Sequence, residues 1–355
     1  MGKKIHILGA GLSGMVAGIN LARQGYDVLI LDRSKRIGGA GIFHPSVHAT
    51  PVDLPQLSSY IGIDMAAQFH EALDFRVYFG KKEGWRIPAT GMYGVERGNR
   101  KSAMDMYLYQ EAQKAGVKFE FSREIKNHKE LPPGSIICTG LFPEMFESLK
   151  VPSQGIYGYS ARFESDKPNE YVAYFDRFIG EYYYHGIING FFYGLIFQRR
   201  KPVSRDAVKR CQDYLAEREG LELKEWFYIE NRVPMATVSN PRLFAEDKIL
   251  AGTLAGMMDP QILFGIAGAL ISGKVAALAV ENREKALQDF KFYTRNWKEN
   301  WIGRRIFERI PFRTRLMEQF MVKGSDKVRS FFMQSGRLAI PGVDSYPTIK
   351  VEGRI

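Results

Sequence analysis

Cysteine is scarce in this chain, which argues against the structures that depend on it. The 355 residues include only Cys138 and Cys211. Two cysteines are too few for a disulfide framework and do not have metal-ligand spacing, so a reducing compartment is expected. His44 and His48 have no further metal ligands close by in the sequence. No metal site is therefore predicted.

Acidic residues and uninterrupted apolar runs are also few. The chain has 39 Asp and Glu against 50 Lys and Arg, a formal net charge of +11. No nucleic-acid-binding motif accompanies this charge, so nucleic acid is not predicted as a partner. The candidate for a membrane span, residues 262–280, contains three glycines, Ser272 and Lys274. A buried, close-packed helix is favoured there over a transmembrane helix.

The most informative motif lies near the first residue. A strand-like segment, 3–8, leads into Gly9-Ala10-Gly11-Leu12-Ser13-Gly14 and then into an apolar helical pattern. In this fingerprint the first glycine permits a tight turn, the second lets backbone approach a pyrophosphate, and the third lets the helix pack closely on the strand. N–H groups at the start of the helix would hold the phosphates. The motif predicts an adenine-dinucleotide site.

The next strand supports this prediction. Residues 26–32 form an apolar run that ends in Asp32, 18 residues after Gly14. A carboxylate at this position accepts hydrogen bonds from the ribose hydroxyls of an adenosine. Arg33 follows directly and, with Lys35 and Arg36, leaves a phosphorylated ribose open. The alternative is a glycine-rich turn without a ligand.

Two further glycine-rich stretches identify the kind of dinucleotide. The double glycine Gly38-Gly39 stands where a nicotinamide-binding domain would normally begin another helix, and a distant segment, 248–260, ends in Asp259-Pro260 before a glycine-rich helical run. Together with the short run 135–140, these stretches resemble the geranylgeranyl-reductase-like branch of the FAD-dependent oxidoreductases. This branch belongs to the flavoprotein superfamily that includes glutathione reductase and p-hydroxybenzoate hydroxylase.

The resemblance implies an FAD site built from both ends of the chain. The helix after Gly265 would aim its N–H groups at the pyrimidine edge of the flavin. Thr253 stands where the family usually has an aspartate, which implies a weaker contact to the ribityl chain. A basic residue before the helix at 103–112, either Arg100 or Lys101, would contact FAD. The cofactor-binding residues predicted in this way are Gly9, Gly11, Leu12, Ser13, Gly14, Asp32, Arg33, Gly39, Ala40, Arg100, Ile125, Thr139, Gly140, Gly252, Thr253, Pro260, Gly265 and Ile266.

His44 is the candidate catalytic residue. It lies five residues after Gly39, in a loop expected to reach the flavin. A histidine exchanges protons near neutral pH, so it suits a proton donor. The alternative is an ordinary loop histidine whose hydrogen bonds are satisfied.

The predicted fold class is α/β, with a three-layer Rossmann-like FAD-binding domain, an inserted antiparallel β-sheet substrate domain and a C-terminal helical segment. The β-rich runs 171–177, 180–188 and 190–198 predict an antiparallel meander. Their many Phe and Tyr residues either pack within the sheet or line a cavity for a long hydrophobic substrate. The predicted ranges are 1–60, 94–154 and 236–284 for the FAD-binding domain, 61–93 and 155–235 for the substrate domain, and 285–355 for the C-terminal region.

The C-terminal region is basic and aromatic. Between Arg283 and Arg337 there are 14 basic residues against 6 acidic ones. Aromatic residues recur at helical spacing from Phe290 to Trp301, and Leu316 begins a second amphipathic stretch. Such helices suit an anionic membrane surface, although the aromatics could equally pack on the domain. The expected location is cytoplasmic, with peripheral contact to the inner face of the membrane through residues 285–337 left open.

The resemblance implies hydride transfer from flavin to a carbon–carbon double bond of an isoprenoid or other hydrophobic lipid. The chain lacks the cysteine that this branch normally has beside the double glycine, so three alternatives stay open. They are a flavin monooxygenase, a non-redox flavoenzyme such as a mutase or cyclase, and a non-enzymatic prenyl-lipid carrier. No second dinucleotide motif follows a strand, so NAD(P)H and ferredoxin both remain candidate electron donors.

Overall fold

The computed structural model describes residues 2–39, 43–72, 75–80, 83–87, 91–176, 181–223, 225–235 and 240–310, and also 316, 319, 320, 325, 327 and 352–354. Only the backbone is described for 83–87 and 352–354. The strands are β1 (Lys4–Leu8), β2 (Asp27–Leu31), β3 (Ser46–Pro51), β4 (His70–Glu71), β5 (Phe75–Phe79), β6 (Glu83–Ile87), β7 (Met92–Arg97), β8 (Lys118–Glu120), β9 (Ile136–Ile137), β10 (Ser153–Glu164), β11 (Glu170–Phe175), β12 (Tyr182–Ile188), β13 (Phe191–Arg199), β14 (Phe227–Pro234), β15 (Phe244–Ala245), β16 (Lys248–Leu250) and β17 (Glu352–Arg354). The helices are α1 (Leu12–Arg23), α2 (Leu54–Ile61), α3 (Met104–Lys114), α4 (Pro143–Ser148), α5 (Arg205–Tyr214), α6 (Ile266–Glu281), α7 (Arg283–Thr294) and α8 (Trp297–Arg309).

The first sheet is the nucleotide-binding sheet that the sequence predicts. Its six strands have the order β15-β16-β9-β1-β2-β8, and every neighbouring pair is parallel except β15 with β16. Ile7 and Ile30 on the two central strands are completely buried. Burial on both faces is typical of parallel sheets, which helices cover from either side. Helix α1 packs against both α3 and α6.

The second sheet covers one side of a large cavity and is called the roof sheet. Its eight strands have the order β14-β10-β13-β12-β11-β5-β6-β17, antiparallel apart from the parallel pair β5 and β11. Strands β11 to β13 form the predicted meander. Successive side chains on a strand point to opposite faces, and Tyr183 packs in the core cluster that contains Cys211 of α5. Tyr182 and Tyr184, on either side of Tyr183, face away from α5.

A small third sheet joins the two large ones. Strand β7 pairs with β3 and β4, all antiparallel. Strand β3 also packs against β12 and β13 of the second sheet. Strand β3 therefore connects β7 to the second sheet.

The C-terminal helices agree in part with the prediction. Helix α6 begins at Ile266, next to Gly265, where the sequence predicts its first N–H groups, and residues 259–265 before it form a turn. Trp297 and Trp301 are buried and stacked on each other, so these aromatics pack on the protein. Ile302 and Ile306 are exposed on the same helix. Met317 and Met321 of the second predicted amphipathic stretch lie outside the described residues.

The predicted fold class is confirmed by this architecture, whereas the domain ranges stay a prediction. Within the described part of the chain, none of the helices has both the length and the apolar character needed to cross a bilayer.

Candidate functional site

A large cavity lies between the carboxyl ends of the parallel strands of the first sheet and the roof sheet. Its volume is about 990 Å³, and its wall includes both Gly11 and Ile262. This volume is at the upper end of the usual range for ligand pockets, about 300–1,000 Å³. The two glycine-rich stretches that the sequence predicts to close on one cofactor therefore share one cavity.

The dinucleotide loop, residues 9–14, has three glycines, and each has a different environment. Gly9 has a φ of +108°, and an added Cβ there would lie 2.5 Å from the carbonyl oxygen of Cys138. An added Cβ at Gly14 would lie 1.9 Å from the carbonyl oxygen of Gly9. At Gly11 an added Cβ meets no atom within 4 Å. Gly9 and Gly14 thus serve the turn and the helix packing, and Gly11 leaves cavity space open beside the backbone.

Asp32 closes this loop onto the second strand. Its carboxylate accepts hydrogen bonds from the backbone N–H of Ala10 and of Ser34, each at 2.7 Å. The side chain also lines the cavity, so it remains within reach of a ligand ribose. Arg33 beside it stacks on the Phe142 ring, with its Cζ 3.3 Å from the ring centroid.

Helices α1 and α6 both begin at the cavity wall. Leu12 and Ser13 of α1 line the cavity, as do Gly265 and Ile266 at the start of α6. The two helices pack so closely that an added Cβ at Gly273 would lie 2.4 Å from the carbonyl oxygen of Ser13. Their unpaired N–H groups and positive dipole ends face the same space, which favours an anionic ligand.

Asp259 shapes the turn before α6. Its buried carboxylate accepts hydrogen bonds from the backbone N–H groups of Gln261, Ile262 and Leu263. Burial raises the pKa of Asp259 to about 6, although these donors oppose the shift. Tyr182 of the roof sheet donates a hydrogen bond to the carbonyl of Ile262 at 2.6 Å. The turn before α6 is therefore connected directly to the roof sheet.

Most of the predicted site residues line this cavity. Gly14 and Pro260 do not: Gly14 packs within the loop, and the carbonyl of Pro260 accepts a hydrogen bond from Arg199. Ala40 lies outside the described residues. The predicted residues in the cavity wall are Gly9, Gly11, Leu12, Ser13, Asp32, Arg33, Gly39, His44, Ile125, Thr139, Gly140, Gly252, Thr253, Gly265 and Ile266.

Arg100 is a predicted cofactor-binding residue that does not line the cavity. Its guanidinium donates to Glu96, Glu164 and the carbonyl of Asn189. The neighbouring basic residue Arg97 does line the cavity, and it donates two hydrogen bonds to Asp105 at 2.7 and 2.8 Å. Its position at the last residue of β7 places it there, and spacing along the sequence alone did not distinguish it.

Asp105 is buried at the start of α3 and is held ionised. Burial alone would raise its pKa, but Arg97, His44 and the N–H of Gly98 together bring the pKa below its ordinary value. Arg97 and Asp105 thus form an ion pair in the cavity wall. The signal in the sequence was the acid at the start of a helix shortly after a basic residue.

Thr139 supplies an unused hydrogen-bonding group. Its Oγ1 is buried and has no hydrogen-bond partner among the described residues, although the residue lines the cavity. Buried polar atoms in proteins normally have a partner. Gly140 next to it leaves open space, since an added Cβ there meets no atom within 4 Å. Both observations fit a polar ligand lying against this turn.

Cys138 precedes this turn and is a structural residue. Its side chain is buried, and burial raises the pKa of the thiol. A protonated, buried thiol does not act as a nucleophile.

A line of hydrogen-bonding side chains starts at His44. Its Nδ1 lies 2.8 Å from Ser46 Oγ, which lies 2.9 Å from His48 Nε2. The Nδ1 of His48 lies 2.8 Å from the hydroxyl of Tyr184. His44, His48 and Tyr184 line the cavity. In the sequence, His48 stood out only as a possible metal ligand, and no motif marks Ser46 or Tyr184.

Both histidines are held neutral. Removal from water, with Arg97 nearby, lowers the pKa of His44 to about 4, against the opposing effect of Asp105. Removal from water also lowers the pKa of His48 to about 3, with Arg97 and His44 adding to the shift. A neutral imidazole has one donating and one accepting nitrogen. Each can therefore pass a proton without carrying charge.

The far end of the cavity is aromatic. Side chains from the roof sheet dominate its wall, with His48 and Tyr193 rings 5.7 Å apart between the two ends. Helix α8 closes one side, where Arg304 donates to the carbonyl of Gln261 at 2.7 Å. The aromatic residues at this end of the cavity include Phe75, Phe79, Tyr171, Phe175, Tyr182, Tyr184, Tyr193, Phe197 and Phe307.

A buried charge cluster lies on the roof sheet. Glu170, His185 and Glu219 have side-chain atoms within 4.8 Å of one another. Arg76 already donates to both carboxylates, at 2.8 Å to Glu219. A buried guanidinium that pairs with both acids favours a structural role over a cation site.

Sequence similarity to characterised proteins covers a small part of the chain. The profile of the family described as an NAD(P)-binding Rossmann-like domain matches residues 7–53. A flavin-containing monooxygenase of Arabidopsis thaliana, FMO GS-OX2, is 36% identical over 55 residues. That match covers 16% of this chain and only 12% of the relative.

Similarity in structure covers nearly the whole chain. A geranylgeranyl bacteriochlorophyll reductase-like protein from Thermoplasma acidophilum has a TM-score of 0.68 at 16% identity, over 93% of this chain and 92% of that one. This chain has the fold of the FAD-dependent oxidoreductases. CtdE in complex with FAD shares the flavoprotein fold, with a TM-score of 0.59 at 12% identity over 96% of this chain and 99% of that one. These similarities confirm the predicted fold.

Proposed function

We propose that this protein is an FAD-dependent oxidoreductase that reduces carbon–carbon double bonds of an isoprenoid or similar hydrophobic lipid. The observation that carries the proposal is the single cavity of about 990 Å³ with a dinucleotide-binding end and an aromatic end. The flavin, when bound, supplies the hydride chemistry. The protein supplies orientation, exclusion of water and a shaped apolar space.

The residues at the nucleotide end fit FAD. Asp32 would accept the ribose hydroxyls, and the N–H groups at the start of α1 would hold the pyrophosphate. Thr139 offers its unpartnered Oγ1 to the cofactor. The N–H groups around Gly265 and Ile266 would meet the pyrimidine edge. These residues come from distant parts of the chain and line one cavity, so a long dinucleotide could contact all of them.

The residues at the other end fit an apolar substrate. The wall between β5 and β13 consists largely of Phe and Tyr side chains. Such a surface binds a long hydrocarbon by burial, with few directional contacts. The electron donor stays open between NAD(P)H and ferredoxin.

Cofactor and reaction can be tested separately on the purified full chain. FAD released on denaturation, in a near one-to-one ratio to protein, supports the cofactor assignment, and a colourless protein contradicts it. Dithionite-reduced protein is then mixed anaerobically with geranylgeraniol. Loss of double bonds by mass spectrometry supports the reductase, whereas unchanged prenyl chain with full flavin reduction contradicts it.

A flavin monooxygenase is the second candidate, because the matched curated relative is a flavin-containing monooxygenase. The match spans 55 residues and 12% of the relative, so it is weak support for a shared reaction. Substrate-dependent oxygen consumption by the reduced protein, with an oxygen atom in the product, would favour this candidate.

Thr139→Val is predicted to weaken FAD binding about 5–10-fold, since one hydrogen bond contributes about 1 kcal/mol. Stability of the FAD-free protein is expected to stay the same or rise, because Oγ1 has no partner among the described residues. Isothermal titration with FAD and denaturant unfolding measure the two effects. Thr50→Val is the matched control, since Thr50 also has a buried, unpartnered Oγ1 in the described structure but does not line the cavity. Equal FAD affinity in both variants would contradict the assigned contact.

We also propose that α8 rests on an anionic membrane surface, which would let a lipid enter the cavity. Ile302, Ile306 and Ile310 form a stripe with 57%, 57% and 38% exposure. Gly303, Arg304 and Phe307 of the same helix line the cavity. Exposed Arg305 and Arg309 accompany the stripe. An apolar stripe with basic neighbours is typical of helices that lie in the membrane interface.

The double variant Ile302→Asp, Ile306→Asp is predicted to lose at least about tenfold in binding to vesicles of phosphatidylserine and phosphatidylcholine. The reason is the loss of two apolar contacts and the gain of two repelled charges. Co-sedimentation at low and high salt measures the effect. Tyr228→Asp, at 44% exposure on β14, is the control and should bind normally. Equal loss in both variants, or no vesicle binding by the parent protein, would overturn the proposal.

A further inference from the structure

We propose that Tyr184 is a catalytic residue, the terminal proton donor of a relay that runs from His44 through Ser46 and His48. The inference rests on the proposed function, in which a reduced double bond needs one proton for each hydride. In the sequence, His44 is the only predicted catalytic residue. The structure places three more groups in line with it, and the last of them opens into the aromatic part of the cavity.

The line is built by strand geometry. Ser46 and His48 lie two residues apart on β3, so their side chains point to the same face, and His44 lies just before the strand. Strand β12 packs against β3 and brings Tyr184 to His48. The three consecutive separations are 2.8, 2.9 and 2.8 Å, all ordinary hydrogen-bond lengths.

The two ends of the relay lie in different parts of the cavity. An added Cβ at Gly39 would lie 3.5 Å from His44 Nε2, so this nitrogen faces the double-glycine loop. Tyr184 lies among Tyr182 and Tyr193, with ring centroids 6.1 and 6.2 Å away. The relay therefore connects the cofactor end of the cavity to its aromatic end.

The hydrogen-bond inventory permits two complete arrangements. Ser46 has one hydroxyl proton, so it donates to one histidine and accepts from the other. In the first arrangement His44 Nδ1–H donates to Ser46, Ser46 donates to His48 Nε2, and His48 Nδ1–H donates to Tyr184. The hydroxyl proton of Tyr184 is then directed to the cavity. In the second arrangement every one of these bonds is reversed.

Passage from the first arrangement to the second delivers one proton. Tyr184 gives its O–H proton to the substrate carbon and takes the Nδ1 proton of His48. His48 takes the proton of Ser46 at Nε2, and Ser46 takes the Nδ1 proton of His44. His44 takes a proton at Nε2 from a water molecule, and the hydroxide that remains is neutralised by the solvent buffer. The flavin, when bound in its reduced form, would supply the hydride and its two electrons for the other substrate carbon.

The environment favours this coupled transfer over ionisation of a single group. Burial, with Tyr193 and Tyr182 nearby, raises the pKa of Tyr184 well above its ordinary value. A buried tyrosinate is thus costly unless its proton is replaced at once. Arg97, Arg162 and Asp105 are the charged groups near His44, and both histidines stay neutral throughout. Every member of the relay has the same charge before and after.

The first test follows histidine tautomers and needs no substrate. In ¹⁵N-histidine-labelled holoprotein at pH 7, His44 and His48 should each show one protonated and one bare nitrogen. Tyr184→Phe should shift the His44 resonances through two intervening groups, and Ser46→Ala should abolish that response. Tyr183→Phe is the control, since Tyr183 contacts His185 on the opposite face of the same strand. Unchanged His44 resonances in Tyr184→Phe would overturn the relay.

The second test measures the reaction with geranylgeraniol in anaerobic single turnovers. Tyr184→Phe is expected to slow product formation about 10²-fold, and Ser46→Ala at least about tenfold, as for loss of general acid catalysis. Both should retain FAD binding, and the solvent deuterium isotope effect should change. Rates within twofold of the parent would overturn the role in catalysis. If the parent protein does not reduce the probe, the proposed function fails, while the tautomer response still decides whether the relay exists.

Discussion

Replacing Asp105 with leucine is expected to lower the free energy of unfolding by about 3–5 kcal/mol, as for other buried ion pairs that lose one partner. Asp105 is 2% exposed and accepts three hydrogen bonds, two from Arg97 and one from the N–H of Gly98. Its loss leaves the Arg97 guanidinium without a counter-charge inside the cavity wall. Denaturant unfolding of the FAD-free protein measures the change.

The double variant Arg97→Met, Asp105→Leu separates loss of the pair from loss of one partner. Removal of both charges is expected to recover much of the stability, because no uncompensated charge remains buried. Asp213→Leu is a control in an exposed pair with Lys209, where little change is expected. A single variant as stable as the parent would show that Asp105 does not hold a buried charge.

The second large effect is expected at Gly14, and Gly11 is its matched partner in the same loop. Gly14→Ala should cost about 3 kcal/mol and abolish FAD binding, because the added methyl meets the Gly9 carbonyl at 1.9 Å and must displace the loop. Gly11→Ala should leave the FAD-free protein as stable as the parent. Its methyl enters open cavity space, so FAD affinity should fall about tenfold or more.

Thermal unfolding of both FAD-free variants, followed by titration with FAD, distinguishes the two roles. The FAD-free forms are compared because bound ligand adds its own stabilisation. If Gly11→Ala unfolds as readily as Gly14→Ala, the loop serves packing only. If Gly11→Ala binds FAD as tightly as the parent, the phosphate-binding assignment is wrong.

The nucleotide end of the site was largely predictable because its rules are local. A glycine spacing, a strand that precedes it and an acid 18 residues after Gly14 each follow from backbone geometry over a short range. Asp32 and Gly11 were accordingly found from sequence and line the cavity. Arg97 was missed because the choice between neighbouring basic residues depends on which one ends a strand.

The relay could not be predicted from the sequence. His44, Ser46 and His48 show only an alternation that many strands share. Tyr184 is 136 residues from His48 and is one of several tyrosines in the same strand. Only the packing of β3 against β12 of the second sheet selects it, and packing between distant strands depends on the whole fold.

The sequence by itself determined the fold class, the dinucleotide loop and the two distant segments that share one cavity, because glycine spacing and apolar periodicity act through local backbone constraints. The tertiary structure decided which charged pair lines the wall, which tyrosine reaches the histidines and which face of α8 is exposed. These choices depend on contacts between residues far apart in the chain, where many pairings share the same local pattern and packing selects one.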